Sequence, residues 1–155
     1  MRDVAVTSDG KRAVSGDEDA TLRVWNLSTG KSRYTLRGHT DWVTAVVVTV
    51  DGSRAVSASR DSTLRVWDLT TGKLLHVLEG HTDYVEAVAV TEDGLHAFSV
   101  SADKTIRVWD LGTGSCLAWF DVESALDCCV LSPDGRRVAA GDKSGQVHLL
   151  SLEVD

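Results

Sequence analysis

Two sets of serine, histidine and aspartate recur in this chain, a combination that can perform nucleophilic hydrolysis. Every member of the first set reappears 42 residues later, and each set also carries a tryptophan. The members are His39, Ser57, Asp61 and Trp67, and then His81, Ser99, Asp103 and Trp109. No G-x-S-x-G elbow surrounds either serine. A catalytic site is rarely copied in successive units, so we predict a structural role, no catalytic residue and no enzyme activity.

The other reactive side chains lack the spacing of a metal or phosphate site. Cys128 and Cys129 are adjacent on a predicted strand, so they face opposite sides and cannot easily share one metal. We expect them, with the remote Cys116, to be small hydrophobic residues of the interior. The remaining histidines have no ligand spacing, and no G-x-x-x-x-G-K-[ST] phosphate loop is present. We therefore predict no metal and no cofactor.

Composition excludes several classes of protein. The chain has 155 residues, with 16 Lys+Arg against 23 Asp+Glu and a net charge of −7. This acidic balance argues against a general nucleic-acid binder, which needs a basic face. No apolar run approaches the ~18 residues of a membrane span, and the first residues lack a secretory leader. Three cysteines are too few for a disulfide framework, which favours a reduced, cytoplasmic location.

The chain repeats itself with a period of 42 residues. Trp25, Trp67 and Trp109 follow one another at that spacing, and Leu36–Gly72 matches Leu78–Gly114 at 24 of 37 positions. A fourth unit is degenerate, because Leu150 stands where the other units have tryptophan. We expect one segment over residues 1–155, divided into repeats at 1–37, 38–79, 80–120 and 121–155.

Each unit is predicted to form four short β-strands. The chain has 22 valines and 13 glycines but one proline, which favours strands joined by tight turns. In the second unit the strands are predicted at Val43–Thr49, Ala55–Ser59, Thr63–Asp68 and Leu74–Leu78. The last unit ends after its third strand, so the expectation is an all-β chain of 15 strands with essentially no helix.

These units resemble the WD-repeat β-propeller family. The resemblance rests on Gly-His, then Ser-x-Ser-x-Asp, then Val-Trp-Asp at the spacing of a four-stranded propeller blade. In that family the histidine, serine, aspartate and tryptophan form a buried hydrogen-bond network, which implies the same role for the eight residues named above. Ser57 is preferred to Ser59 because we expect hairpin geometry to place it about opposite Trp67.

The resemblance also implies a surface for partners. Proteins of this family bind partners near the central channel, through positions three and five beyond the Gly-His histidine and before the next turn aspartate. The candidate partner-binding residues are Trp42, Thr44, Arg60, Tyr84, Glu86 and Ala102. The equivalent positions are Arg2 and Glu18 in the first unit and Ala125, Asp127 and Lys143 in the fourth. Packing of the two aromatic residues on a neighbouring blade is the alternative.

Four blades leave a propeller open. Family members usually have seven or eight blades, and two four-bladed chains would close an eight-bladed ring about a two-fold axis. We predict such a homodimer. The alternatives are a longer chain with the missing strand before Met1, and four units that close alone.

The predicted function is a non-catalytic scaffold or recognition module for proteins or peptides. The alternatives are a sensor or assembly segment of a larger signalling ATPase, and an engineered propeller fragment that assembles with itself. A hydrolase is the remaining possibility.

Overall fold

The computed structural model describes residues 1–152. Within that range the chain forms 15 β-strands in four antiparallel sheets and no helix, which confirms the predicted fold class. Sheet 1 holds β1 (Asp3–Val6), β2 (Arg12–Gly16), β3 (Leu22–Asn26) and β4 (Lys31–Leu36). Sheet 2 holds β5 (Val43–Val48), β6 (Arg54–Ser59), β7 (Leu64–Asp68) and β8 (Leu74–Leu78). Sheet 3 holds β9 (Val85–Val90), β10 (His96–Ser101), β11 (Thr105–Asp110) and β12 (Cys116–Asp121). Sheet 4 holds β13 (Leu126–Leu131), β14 (Arg137–Asp142) and β15 (Val147–Ser151).

The strands of each sheet follow one another in chain order, each antiparallel to the last. In sheet 2 the observed ends differ from the predicted ones by at most one residue. Such a meander needs only short connections, which the turn residues of the repeat supply.

Aspartate and glycine close the first turn of the sheets. Asp51 accepts hydrogen bonds from the Thr49 hydroxyl at 2.6 Å and from the Ser53 backbone N–H at 2.9 Å. Gly52, next in the chain, has φ of +71°, a left-handed conformation that glycine adopts without steric cost. These local hydrogen bonds fix the turn that joins β5 to β6, and Arg12 of sheet 1 also donates to the Gly52 carbonyl at 3.0 Å.

The core lies between successive sheets rather than inside one. Leu36 of sheet 1 and Trp67 of sheet 2 belong to one buried cluster, and Leu78 of sheet 2 and Trp109 of sheet 3 belong to the next. Further apolar clusters join sheet 3 to sheet 4. Each sheet thus uses both faces for packing, wherever it has a neighbour on both sides.

The outer faces of sheets 1 and 4 are not covered by any of residues 1–152. Leu27 is 46% exposed, whereas Leu69 and Leu111, at the same repeat position in sheets 2 and 3, are fully buried. At the other end, Leu149 is 76% exposed, whereas the equivalent Val66 is fully buried. The two end faces therefore expose apolar side chains. At the equivalent repeat positions in the middle of the chain, a neighbouring sheet covers these side chains.

Candidate functional site

In sheet 2 a chain of hydrogen bonds links β7 to the loop before β5. Trp67 Nε1 donates to Ser57 Oγ over 2.9 Å, and Ser57 Oγ lies 2.7 Å from His39 Nε2. His39 Nδ1 lies 2.7 Å from Asp61 Oδ2. Because an ionised aspartate can only accept, His39 Nδ1 carries a proton and donates to Asp61. Every member of this network has a partner.

Sheet 3 contains the same network. Trp109 Nε1 donates to Ser99 Oγ over 2.8 Å, and His81 lies 2.7 Å from both Ser99 and Asp103. Burial lowers the pKa of His81 below its ordinary value, although the hydrogen bond to Asp103 opposes this. Burial raises the pKa of Asp61, yet hydrogen bonds from His39 and Thr63 outweigh it and leave that pKa below its ordinary value. The His81 ring is thus held neutral beside Asp103.

The strand register corrects one expectation about Ser57. Ser57 lies opposite Arg65, whereas Trp67 lies opposite Ala55, so the serine and the tryptophan are diagonal neighbours. The expectation that they are about opposite was wrong, because the long indole ring reaches across two positions on one face of the hairpin. The Ser59 hydroxyl instead donates to the Asp41 carbonyl at 3.0 Å, in the loop before β5.

Sheets 1 and 4 do not carry the full network within the described residues. Trp25 Nε1 donates to Ser15 Oγ at 3.0 Å in sheet 1, where the equivalent aspartate, Asp19, bonds to Thr21. In sheet 4 the position of the aspartate holds Ser144. The other three equivalent positions are apolar and join one hydrophobic cluster; these residues are Val122, Ala140 and Leu150. The network is therefore a feature of the two central sheets, and sheet 4 replaces it by apolar packing.

Three of the candidate partner-binding residues form one stack, which we call the rim cluster: Trp42, Arg60 and Tyr84. The Arg60 guanidinium lies 4.3 Å from the centroid of the Trp42 ring and 5.1 Å from that of Tyr84. Trp42 precedes β5, Arg60 follows β6 and Tyr84 precedes β9, so the stack spans sheets 2 and 3. Cations attract the faces of aromatic rings, which holds the guanidinium in place.

The other three candidates lie next to the rim cluster and differ in availability. The Thr44 hydroxyl donates to the Val85 carbonyl at 2.5 Å, so it already joins β5 to β9. Glu86 is half-buried on β9. Ala102 donates its backbone N–H to the Tyr84 carbonyl at 2.9 Å, as Arg60 does to the Trp42 carbonyl. The same backbone bond thus positions the turn in both sheets, and the side chain at that position is free to vary.

Comparison with known protein families identifies the family of these repeats. The family model described as WD domain, G-beta repeat (WD40) matches residues 1–26, 30–68 and 72–110, more than half of the chain. This chain belongs to the WD40 family. The matched residues lie in the sheets that keep the tryptophan, whereas sheet 4, with Leu150 at that position, lies beyond them.

Curated relatives are similar over single WD40 repeats. Autophagy-related protein 16 of Arabidopsis thaliana is 48% identical over 44 residues, 28% of this chain and 9% of the relative. A nuclear distribution protein of Uncinocarpus reesii is 51% identical over 39 residues, 25% of this chain and 8% of the relative. An uncharacterized WD repeat-containing protein of Nostoc is 40% identical over 42 residues, 27% of this chain and 3% of the relative. This chain spans less than a tenth of the length of each of these relatives.

WD40 repeats are in general non-catalytic modules for protein–protein interaction. The burial of the serines agrees with that general role, because the side chains of Ser57 and Ser99 have no exposed surface for a substrate to reach. Residues 1–152 bring together no group of three or more potential metal ligands among His, Cys, Asp and Glu. No helix in that part of the chain is long and apolar enough to cross a membrane.

The cysteines of this WD40 chain correct a second expectation. All three are free, but Cys128 is exposed rather than buried. In the two central sheets, alanine occupies the position equivalent to Cys128 and faces a neighbouring sheet. None of residues 1–152 covers that face of sheet 4, which explains the exposure of Cys128. Burial raises the pKa of the neighbouring Cys129 thiol to about 12, which keeps it protonated and unreactive.

Proposed function

We propose that this WD40 chain is a recognition module that binds a protein or peptide partner through the rim cluster and its neighbours Thr44, Glu86 and Ala102. The observation that supports this proposal is the stack of Trp42, Arg60 and Tyr84, since these residue types dominate binding hot spots. Tyr84 is 42% exposed, so part of the stack is open to a partner.

Removal of the two rings tests this function. Trp42→Ala and Tyr84→Ala should abolish capture of the partners that the wild-type chain retains from its source cells. The matched control is Trp119→Ala, which removes an exposed aromatic ring from β12, outside the rim cluster. Thermal unfolding of all three variants identifies any loss of folding. If both rim variants keep the wild-type fold and every partner, the rim cluster is not the binding surface.

We propose secondly that two copies assemble into one eight-bladed ring. The two apolar end faces support this, because the same repeat positions are covered by a neighbouring sheet within the chain. A second copy offers the complementary face at both ends, and two four-bladed halves close about a two-fold axis. The three free cysteines agree with a cytoplasmic location for this assembly.

Light scattering of the purified chain tests the ring. A monodisperse particle of twice the 16.7 kDa chain mass is expected. A monodisperse monomer would rule out closure by a second copy and favour cover by further repeats in a longer protein.

A further inference from the structure

Arg60 has no acidic partner among the described residues, whereas Arg2 and Lys143, the cations at neighbouring or equivalent positions, each have one. The Arg2 guanidinium lies 5.0 Å from the Trp42 ring centroid, and it pairs with Glu18 at 3.4 Å. Lys143, at the position of Arg60 in sheet 4, lies 3.8 Å from Asp127. Within residues 1–152, no side chain or carbonyl accepts a hydrogen bond from the Arg60 guanidinium. Among the described residues, its donors are therefore available to a group of a partner molecule.

The geometry of the stack decides which donors are available. The Nε atom of Arg60 is buried and has no hydrogen-bond partner among the described residues. The two terminal nitrogens also lack a hydrogen-bond partner, but they are not buried, so both reach solvent. The two terminal N–H groups form a planar fork that matches the two oxygens of a carboxylate. Because the rings of Trp42 and Tyr84 flank the guanidinium, little of its freedom remains to be lost on binding.

The repeat itself does not require this arginine. The equivalent positions hold Glu18, Ala102 and Lys143, and their sheets form without it. Arg65 and Arg107 also have a buried Nε without a partner, but they occupy one repeat position in β7 and β11. Their shared position indicates a packing role common to the two sheets, whereas Arg60 is particular to one.

We propose that Arg60 is the anchor for a carboxylate of the partner, either an Asp or Glu side chain or a peptide C-terminus, held end-on by its two terminal nitrogens. This inference rests on the proposed function, since it names the chemistry recognised by the rim cluster. The chain has a net charge of −7, but exposed charges farther away than about 8 Å are largely screened at physiological salt, whereas a direct ion pair is not.

A peptide library tests this assignment. The probe is a random synthetic octapeptide library, half with free C-termini and half amidated, selected on the wild-type chain and on Arg60→Gln. Wild type is expected to enrich Asp and Glu in the amidated half, or free C-termini over amidated ones. Enriched peptides should bind Arg60→Gln at least about tenfold more weakly, because both charge-assisted hydrogen bonds are lost. Arg60→Lys should recover only part of the affinity, since an ammonium lacks the planar fork.

The matched control is Arg33→Gln, which removes another ring-stacked arginine, 5.2 Å from the Tyr34 centroid and outside the rim cluster. It should bind the enriched peptides as wild type does. Acidic peptides that bind Arg60→Gln as tightly as wild type would overturn the anchor while leaving the proposed function in place. Enrichment without a carboxylate preference, the absence of any enrichment, or competition by inorganic phosphate but not by acetate would also overturn it. The proposed function is judged separately, by partner capture with Trp42→Ala and Tyr84→Ala.

Discussion

Ser57 and Ser99 connect two buried rings that would otherwise each lose a hydrogen-bond partner. Each serine accepts from an indole N–H and lies 2.7 Å from a histidine nitrogen, inside a fully buried site. An unpaired polar group in such a place costs free energy because water cannot replace the lost partner. The serines therefore stabilise this protein through chemistry that in an exposed site could have been catalytic.

Ser57→Ala is expected to lower the free energy of unfolding by about 2–4 kcal/mol, because it leaves Trp67 Nε1 and His39 Nε2 without partners. The control is Ser15→Ala in sheet 1, where only the half-buried Trp25 loses a partner, and about 1 kcal/mol is expected. Urea unfolding measures both. Equal losses in the two variants would show that the histidine adds nothing to the network.

His81 should make the protein less stable in acid. Its pKa in the folded state is lowered from 6.5, chiefly by burial, so below pH 6.5 the unfolded chain takes up a proton that the folded chain does not. The stabilisation is complete above pH 6.5 and is lost as the pH falls through the lowered pKa. Urea midpoints from pH 7.5 to 5 should decrease. The decrease in the urea midpoint should be smaller in His81→Asn. An equally large decrease in that variant would show that His81 does not cause the loss of stability in acid.

At the scale of the element, one turn position carries backbone strain in three of the sheets. Ala20, Ser62 and Lys104 occupy the turn before the third strand with φ between +65° and +69°, a region that disfavours residues with a side chain. Sheet 4 has Gly145 at the same position, with φ of +89°. The turn geometry is thus required by the hairpin, and only sheet 4 has the residue that adopts it freely.

Ser62→Gly is expected to raise the free energy of unfolding by about 0.5–1 kcal/mol, because it removes that strain. Lys73→Gly is the control, since Lys73 does not have a positive φ. This substitution relieves no strain and only increases the conformational entropy of the unfolded chain. Thermal unfolding should therefore show a higher midpoint for the first variant and a lower one for the second. A lower midpoint for Ser62→Gly would mean that its side chain contributes more than the strain costs.

At the scale of the whole molecule, the interfaces between sheets repeat along the chain. The Arg12 guanidinium donates to the Leu69 carbonyl of the next sheet at 3.0 Å, and Arg54 donates to the Leu111 carbonyl at 3.2 Å. Arg137 has the same position in sheet 4 and is exposed. In the proposed ring we expect Arg137 to donate to the carbonyl of Leu27 of a second copy, because Leu27 is equivalent to Leu69.

Leu149→Glu should convert the proposed dimer into a monomer, because it places a charge on an end face that the second copy covers. Arg137→Gln should weaken the dimer without unfolding the chain. Leu75→Glu is the control, since Leu75 is an exposed leucine of β8, away from both end faces. Light scattering over a range of concentrations measures all three. A Leu149→Glu chain that still dimerises would place the interface elsewhere.

The sequence by itself determined the strands and their turns, and its resemblance to WD repeats implied the members of the buried networks. Valine-rich runs and Asp-Gly turns act over a few residues, and the 42-residue period shows which of them recur. Only the tertiary structure decided the rest. Arg60 lies between Trp42 and Tyr84 because successive sheets pack side by side, and Cys128 is exposed because none of residues 1–152 covers its face. Local pattern specifies a sheet, but which surface is left for a partner depends on how the sheets pack together.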